Sequence, residues 1–275
     1  MKGMRKKQTP LEKEWAKVVK QEQEYLRKQT EKKESKLNQL LEDKVPADLQ
    51  KTLDTAFYKA FQVIFEKGTD VIEKTYKKGN LEKKYLVNEY IAEVMDDRRS
   101  LKTFSKKASG SGKVNLLLSG VSGIGMGVFG VGIPDIVVFT GLLLKSVYEI
   151  ALNYGFHYDT REEKHFILLL IQGAVARGEE QQNINKELNL FIETGAYSKP
   201  VWLNKSVEAT AGCLSKELLY MKFLQGIPIA GAVGGAYDVI YMKQVVKFAE
   251  LKYRRRFYAK RMKQNEAIDN TTRST

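Results

Sequence analysis

Cysteine and histidine are scarce in this chain, and acids are outnumbered by bases. One cysteine, Cys213, excludes an intramolecular disulfide, and one cysteine beside two histidines excludes a zinc-finger type site, so a reducing, cytoplasmic setting is expected. Flanked by Ala211, Gly212 and Leu214, Cys213 reads as buried filler rather than a nucleophile. Acidic residues number 33 against 46 Lys plus Arg, a formal charge of +13 that favours an anionic partner: an acidic membrane face, an acidic protein or nucleic acid. Behind the basic start MKGMRKKQTPLEKEW there is no apolar run of the kind a signal peptide needs, and export is not expected. The hydrophobic share of 43% over 275 residues excludes disorder throughout and allows one large domain, alone or with appendages.

Against that basic background stands VNLLLSGVSGIGMGVFGVGIPDIVVFTGLLL, residues 114 to 144, whose one formal charge is Asp135. Gly130, Gly132 and Pro134 interrupt it, because proline lacks an amide donor and disfavours helix in the residue before it. Two readings stay open: a broken membrane-inserting segment, or a very apolar helical pair inside a soluble core. Pro134 and Asp135 suit a helix start, and Gly155 suits its stop. A second uncharged run, FLQGIPIAGAVGGAY at 223 to 237, precedes Asp238 and shares the Ile-Pro pair and close glycines; the two are expected to form close-packed helical hairpins.

Elsewhere the periodicity is helical. Residues 1 to 44 predict a long charged amphipathic helix, a surface helix docked by a thin stripe or a partner-binding coiled segment. Leu53, Phe57, Phe61, Ile64 and Phe65 share a face; a turn is expected at Lys78-Gly79-Asn80, then a helix carrying Tyr85, Leu86 and Tyr90. A small polar linker spans 106 to 113. Further helices are expected from Thr160, with the acidic first turn Arg161-Glu162-Glu163, and over about Gln182 to Thr194. The last, about Tyr237 to Lys263, has nine Lys or Arg and one acid, Glu250, from Lys243 onward. It reads as a cationic amphipathic helix offering Lys243, Lys247, Arg254, Arg255, Arg256, Lys260 and Arg261 to a membrane surface, or else as a core helix with a solvated outer face. Residues 264 to 275 read as a disordered tail. The fold class is therefore all-α: a charged helix over 1 to 44, a helical domain over 45 to 263 with a central glycine-rich apolar hairpin, and the tail.

Little in the sequence can do chemistry. The run SGSGK at 109 to 113 lacks the first glycine and the following Ser or Thr of a phosphate loop, having Lys107 and Val114 there. Gly125, Gly127 and Gly130 match G-x-G-x-x-G without a β-α-β context, so no cofactor is expected. His157 and His165, with Asp159, Glu162 and Glu163 nearby, read as ordinary surface residues rather than a metal site. Lys145 and Glu149, spaced i and i+4, can pair with each other or with Asp135 or Asp238; together with Gly130, Gly132 and Pro134 these are the candidate binding residues. No nucleophile, base and orienting group cluster, so a non-enzymatic role is expected.

The order of GVGIPD at 130 to 135, Lys-Ser-Val-Tyr-Glu-Ile-Ala at 145 to 151, Tyr-Gly-Phe at 154 to 156, an acid-started helix and IPIAGAVGGAYDVIYM at 227 to 242 resembles the EcsC family over roughly residues 45 to 260. That family takes its name from a bacterial operon that also encodes an ABC transporter. The resemblance implies a bacterial, cytoplasmic or membrane-associated protein, and supplies no established active site. The expected role is a membrane-associated accessory contacting the cytoplasmic leaflet or a membrane protein, peripheral at the inner face of the cell membrane. The alternative is a soluble all-α module binding a lipid-like or other apolar ligand. Nucleic acid is disfavoured, because the basic residues accompany apolar helices rather than a recognition module.

Overall fold

The computed structural model describes residues 8–30, 47–65, 78–83, 85–86, 101–102, 105–106, 134–224 and 236–273. Among them there is no strand. The principal helices are α1 (Pro10–Thr30), α2 (Ala47–Val63), α3 (Pro134–Asn153), α4 (Arg161–Val175), α5 (Gly178–Thr194), α6 (Leu203–Leu224) and α7 (Ala236–Arg273). The protein is all-α, as the periodicity predicts. The first uncharged run up to residue 133, most of the second, the linker and residues 31–46 lie outside the described residues, and with them the expected hairpins.

Local signals account for several ends. Thr9 and Glu12 form a reciprocal capping box: the Thr9 amide donates to Glu12 Oε2 at 2.8 Å, and the Glu12 amide donates to Thr9 Oγ1 at 3.2 Å. Pro10 occupies the first helical position, where its missing amide removes nothing. The hydroxyl of Thr160 caps α4 by accepting from the Glu163 amide, and α4 starts where its acidic turn predicts. Gly155 follows the end of α3 at φ +76°, and a β-carbon there would sit 2.2 Å from the Tyr85 ring. Gly155→Ala is therefore expected to destabilise the protein by at least ~1–2 kcal/mol from the left-handed backbone alone, before the overlap with Tyr85 is counted. A thermal midpoint unchanged from wild type would contradict this.

Two expectations fail. Lys78-Gly79-Asn80 is helical rather than a turn, the first part of a helical stretch over 78–83. Beyond it Tyr85 is buried and Leu86 is exposed. And α7 continues through residues 264–273, where polar composition predicts a disordered tail; continuation of an existing helix needs no new nucleus.

The centre is α4. Every residue from Phe166 to Val175 is buried, a helix apolar all round and covered on all sides. It is flanked by α5, α6 and α7, while α1 and α3 lie along α7 and α2 packs on α3 and α6. Gly173 allows the close approach, since a β-carbon there would meet Phe248 of α7 at 2.8 Å and Ile184 of α5 at 3.0 Å.

Contacts set the helix directions. Ser146 meets Met242 and Tyr154 meets Phe257, so α3 and α7 run parallel. Phe166 meets Tyr253 while Gly173 lies under Phe248, so α4 is antiparallel to α7. His165–Ser206 and Gln172–Thr210 run α6 alongside α4. Asn189 and Glu193 meet Lys252 and Lys263, so α5 follows α7, and Trp15 and Tyr25 meet Arg255 and Phe248, so α1 opposes it. One end of the bundle thus gathers the starts of α3, α5 and α7 with the finishes of α1, α4 and α6. The uncharged residues 114–133 join the chain at the start of α3, and 225–235 join it between α6 and α7. Both runs attach at this one end.

Candidate functional site

Of the candidate binding residues, Gly130 and Gly132 lie outside the described residues. Pro134 and Asp135 open α3, and Asp238 stands in the first turn of α7. Lys145 and Glu149 sit one turn apart on α3, Lys145 buried and Glu149 half-buried. Burial pushes the Glu149 carboxyl above its ordinary range, and the Lys145 charge opposes that shift.

The basic residues of α7 depart furthest from a surface-helix reading. Lys243, Lys247 and Lys260 are exposed, but Arg255 and Arg261 are buried and Arg254 and Arg256 are half-buried. The row of arginines faces inward because it meets acids on three other helices. Glu22 of α1, 2% exposed, receives Lys252 Nζ at 3.0 Å, Arg255 Nη1 at 3.2 Å and Asn189 Nδ2 at 3.0 Å. Lys252, wholly buried, also donates to Asn189 Oδ1 at 2.7 Å and to Asn185 Oδ1 of α5. Arg255 reaches on to Glu193 Oε1 at 2.8 Å, its guanidinium 5.1 Å from the Trp15 ring centre. At the rim Arg254 donates to Gln21 Oε1 at 2.7 Å.

Buried charges are tolerated only when paired and hydrogen-bonded, and here each is. Burial alone would raise the Glu22 carboxyl, but the charges of Lys252 and Arg255 and the Asn189 bond outweigh it and hold it below its ordinary 4.5. Burial brings the Lys252 ammonium down from 10.5 to about 8 despite the pull of Glu22.

A second pair lies one residue on. Arg256 grips Glu163 of α4 with both terminal nitrogens, Nη1 donating to Oε2 at 2.8 Å and Nη2 to Oε1. Its guanidinium lies 4.2 Å from the Phe156 ring centre and 5.0 Å from those of Phe166 and Phe191. Burial acts against this charge, yet the bonds and charge of Glu163 leave the guanidinium above its ordinary value.

Among the described residues Ser206 Oγ lies 2.7 Å from His165 Nδ1, and Ser215 Oγ donates to Asp54 Oδ1. Ser206 is buried and its hydroxyl donates back to the Trp202 carbonyl at 3.1 Å, so its pairing with His165 clamps α4 to α6. Burial pushes the His165 imidazole below its ordinary range, Glu187 opposing. His157 is exposed, with Nδ1 3.9 Å from Glu82 Oε1. Burial, with Glu180 and Glu217 nearby, drives the Cys213 thiol far up, which disfavours the thiolate. Among the described residues no group of three or more His, Cys, Asp or Glu could hold a metal ion, and no helix is long and apolar enough to cross a membrane.

The acids that matter, Glu22, Glu163 and Glu193, carry no motif. One signal was available: the buried stripe of α1 reads Leu11, Glu14, Val18, Glu22, Tyr25, Gln29, so two carboxylates lie in a row that otherwise belongs to the core.

A family model described as the EcsC protein family matches residues 12–257. The match takes in α1, which the sequence resemblance left outside and which docks along α7. A relative, an uncharacterised protein of Bacillus subtilis (strain 168) called YdbA, is 26% identical over 183 residues, covering 65% of this chain and 67% of that protein. No solved structure matches. With the family match running through six of the seven helices and well into the last, this chain belongs to the EcsC protein family.

Proposed function

We propose that the protein is a non-enzymatic accessory that attaches peripherally to an anionic membrane face, or to a membrane protein there, through the end of the bundle where its two uncharged runs join. That convergence is the observation carrying the proposal: two stretches without a formal charge, remote in sequence, are tethered to the same end by α3, α6 and α7. Charge supports it. Lys252, Arg255 and Arg256 are matched in number by Glu22, Glu163 and Glu193, so the excess of +13 resides outside these clusters, where it attracts an anionic surface. Peripheral contact is favoured over spanning, because Asp135 at a bilayer centre would cost about 3 kcal/mol. The family's namesake operon makes an ABC transporter a natural membrane partner, and the cytoplasmic face the natural side.

Sedimentation with vesicles tests this. The protein is expected to pellet at low salt with vesicles containing phosphatidylglycerol, to ignore pure phosphatidylcholine, and to be released by high salt. Protein left in the supernatant with both lipids sinks the proposal; purified protein that carries bound lipid while ignoring vesicles would move the assignment to a soluble carrier of apolar ligands.

A further inference from the structure

We propose that the outer face of α6, headed by Trp202, is a docking surface for an acidic amphipathic helix of a partner protein. Trp202 is 66% exposed, the most exposed large apolar side chain among the described residues. The backbone that carries it is nevertheless fastened on both sides. Before it, Gly195 closes α5 at φ +79°, and the Tyr197 ring stacks on Phe191 with centres 4.4 Å apart. The Tyr197 hydroxyl donates to the Glu162 carbonyl at 3.0 Å, and the Ser198 amide and hydroxyl donate to the two oxygens of Glu187 at 2.8 and 2.7 Å. After it, the Trp202 carbonyl accepts from the Ser206 amide at 3.0 Å, and Leu203 packs on the core. An indole held in water on so constrained a backbone has little ordering entropy to lose when a partner covers it, and a tryptophan covered in this way supplies a large share of binding energy.

The row behind Trp202 selects the occupant. Lys205, Ala209, Gly212 and Lys216 follow it at alternating steps of three and four residues, the spacing at which one helix presents a seam to another. Each is exposed or half-buried, and a β-carbon on Gly212 would meet nothing within 4 Å, so the seam stands open. Both of its charges are positive, and exposed Lys199 adds a third in the loop before Trp202. The exposed acids nearby stand off the seam: Glu208 to one side of it, and Glu162 at the start of α4, where it meets Tyr197. A bilayer or a nucleic-acid duplex spreads negative charge broadly and would meet those carboxylates along with the lysines. A narrow helix lies along the seam, setting its acids against Lys205 and Lys216 and its apolar stripe over Trp202 and Ala209.

The test uses the full chain with fluorotryptophan in place of its two tryptophans, Trp15 and Trp202, and a labelled helical peptide whose leucine stripe is flanked by glutamates. The peptide is expected to bind, read by fluorescence anisotropy, and to move the fluorine signal of Trp202 while leaving that of half-buried Trp15 in place. The same peptide with lysine for every glutamate is expected not to bind. Trp202→Ala is expected to weaken binding on the order of thirtyfold, and Lys205→Glu with Lys216→Glu on the order of tenfold or more. Lys17→Glu with Lys20→Glu, the same change in net charge on the exposed side of α1, is expected to stay near wild type. Because the two peptides are compared on wild-type protein, the result does not hang on any variant folding. Binding of neither peptide, equal binding of both, or an unmoved Trp202 signal would overturn the inference and leave the membrane proposal standing. A Trp202 signal moved instead by phosphatidylglycerol vesicles, by single-stranded DNA or by protein concentration alone would also overturn it, assigning the face to a membrane, a nucleic acid or a second copy.

Discussion

Replacing Glu22 with alanine is expected to lower the unfolding free energy by about 3–5 kcal/mol, the usual consequence of leaving buried charge without its counter-ion. Glu22 gathers Lys252, Arg255 and Asn189 at one point. Without it, Lys252 keeps only the side-chain oxygens of Asn185 and Asn189, and Arg255 keeps Glu193. Urea denaturation would read this as a lower midpoint with an unchanged slope. A shift below about 1 kcal/mol would mean that water reaches the cluster and the network is worth no more than a surface pair. Replacing Glu22 and Lys252 together by methionine should restore much of the loss, since apolar residues of similar volume often substitute for buried pairs without penalty.

The same group gives the stability curve its acid side. The folded Glu22 carboxyl titrates below the ordinary 4.5, so as pH falls the unfolded chain takes up its proton first. Its contribution is complete above that ordinary value and disappears as pH drops through the folded one. Lys252 behaves differently. Its folded value of about 8 lies under the ordinary 10.5, so between these the unfolded chain holds more protons, and this group makes stability rise with pH. Glu22→Ala should flatten the acid limb of the curve.

Arg256→Ala is expected to cost about 3 kcal/mol, because it strips both donors from the buried Glu163 carboxylate and empties the space among Phe156, Phe166 and Phe191. Arg256→Lys should recover only part of this. An ammonium cannot grip both carboxylate oxygens in a plane or lie flat against Phe156. Thermal or urea unfolding of the three proteins would rank wild type first, lysine second and alanine last. A lysine variant as stable as wild type would reduce the arrangement to charge alone.

What could be read beforehand follows the range of the signals. Pro134, Thr160 and Gly155 mark helix ends because caps and left-handed stops depend on a few adjacent residues, and all three stand where expected. The face of α2 was readable for the same reason: Leu53, Phe57, Phe61 and Ile64 repeat at helical spacing and all are buried. The direction of Arg255 and Arg256 was not. A helical wheel shows that cations share a side, and which side is inward depends on Glu22, Glu163 and Glu193, which lie 233, 93 and 62 residues away along the chain. The turn expected at Lys78-Gly79-Asn80 failed because a glycine inside a helix costs only ~1 kcal/mol, which tertiary packing can override.

The docking of α1 on α7 has a consequence for biosynthesis. α1 leaves the ribosome more than 200 residues before the part of α7 that holds its ionic partners, so its core-facing acids and apolar stripe wait, solvated or chaperoned, until α7 has been made. Native structure in α1 and α7 is thus acquired in one step, joining them like a clasp.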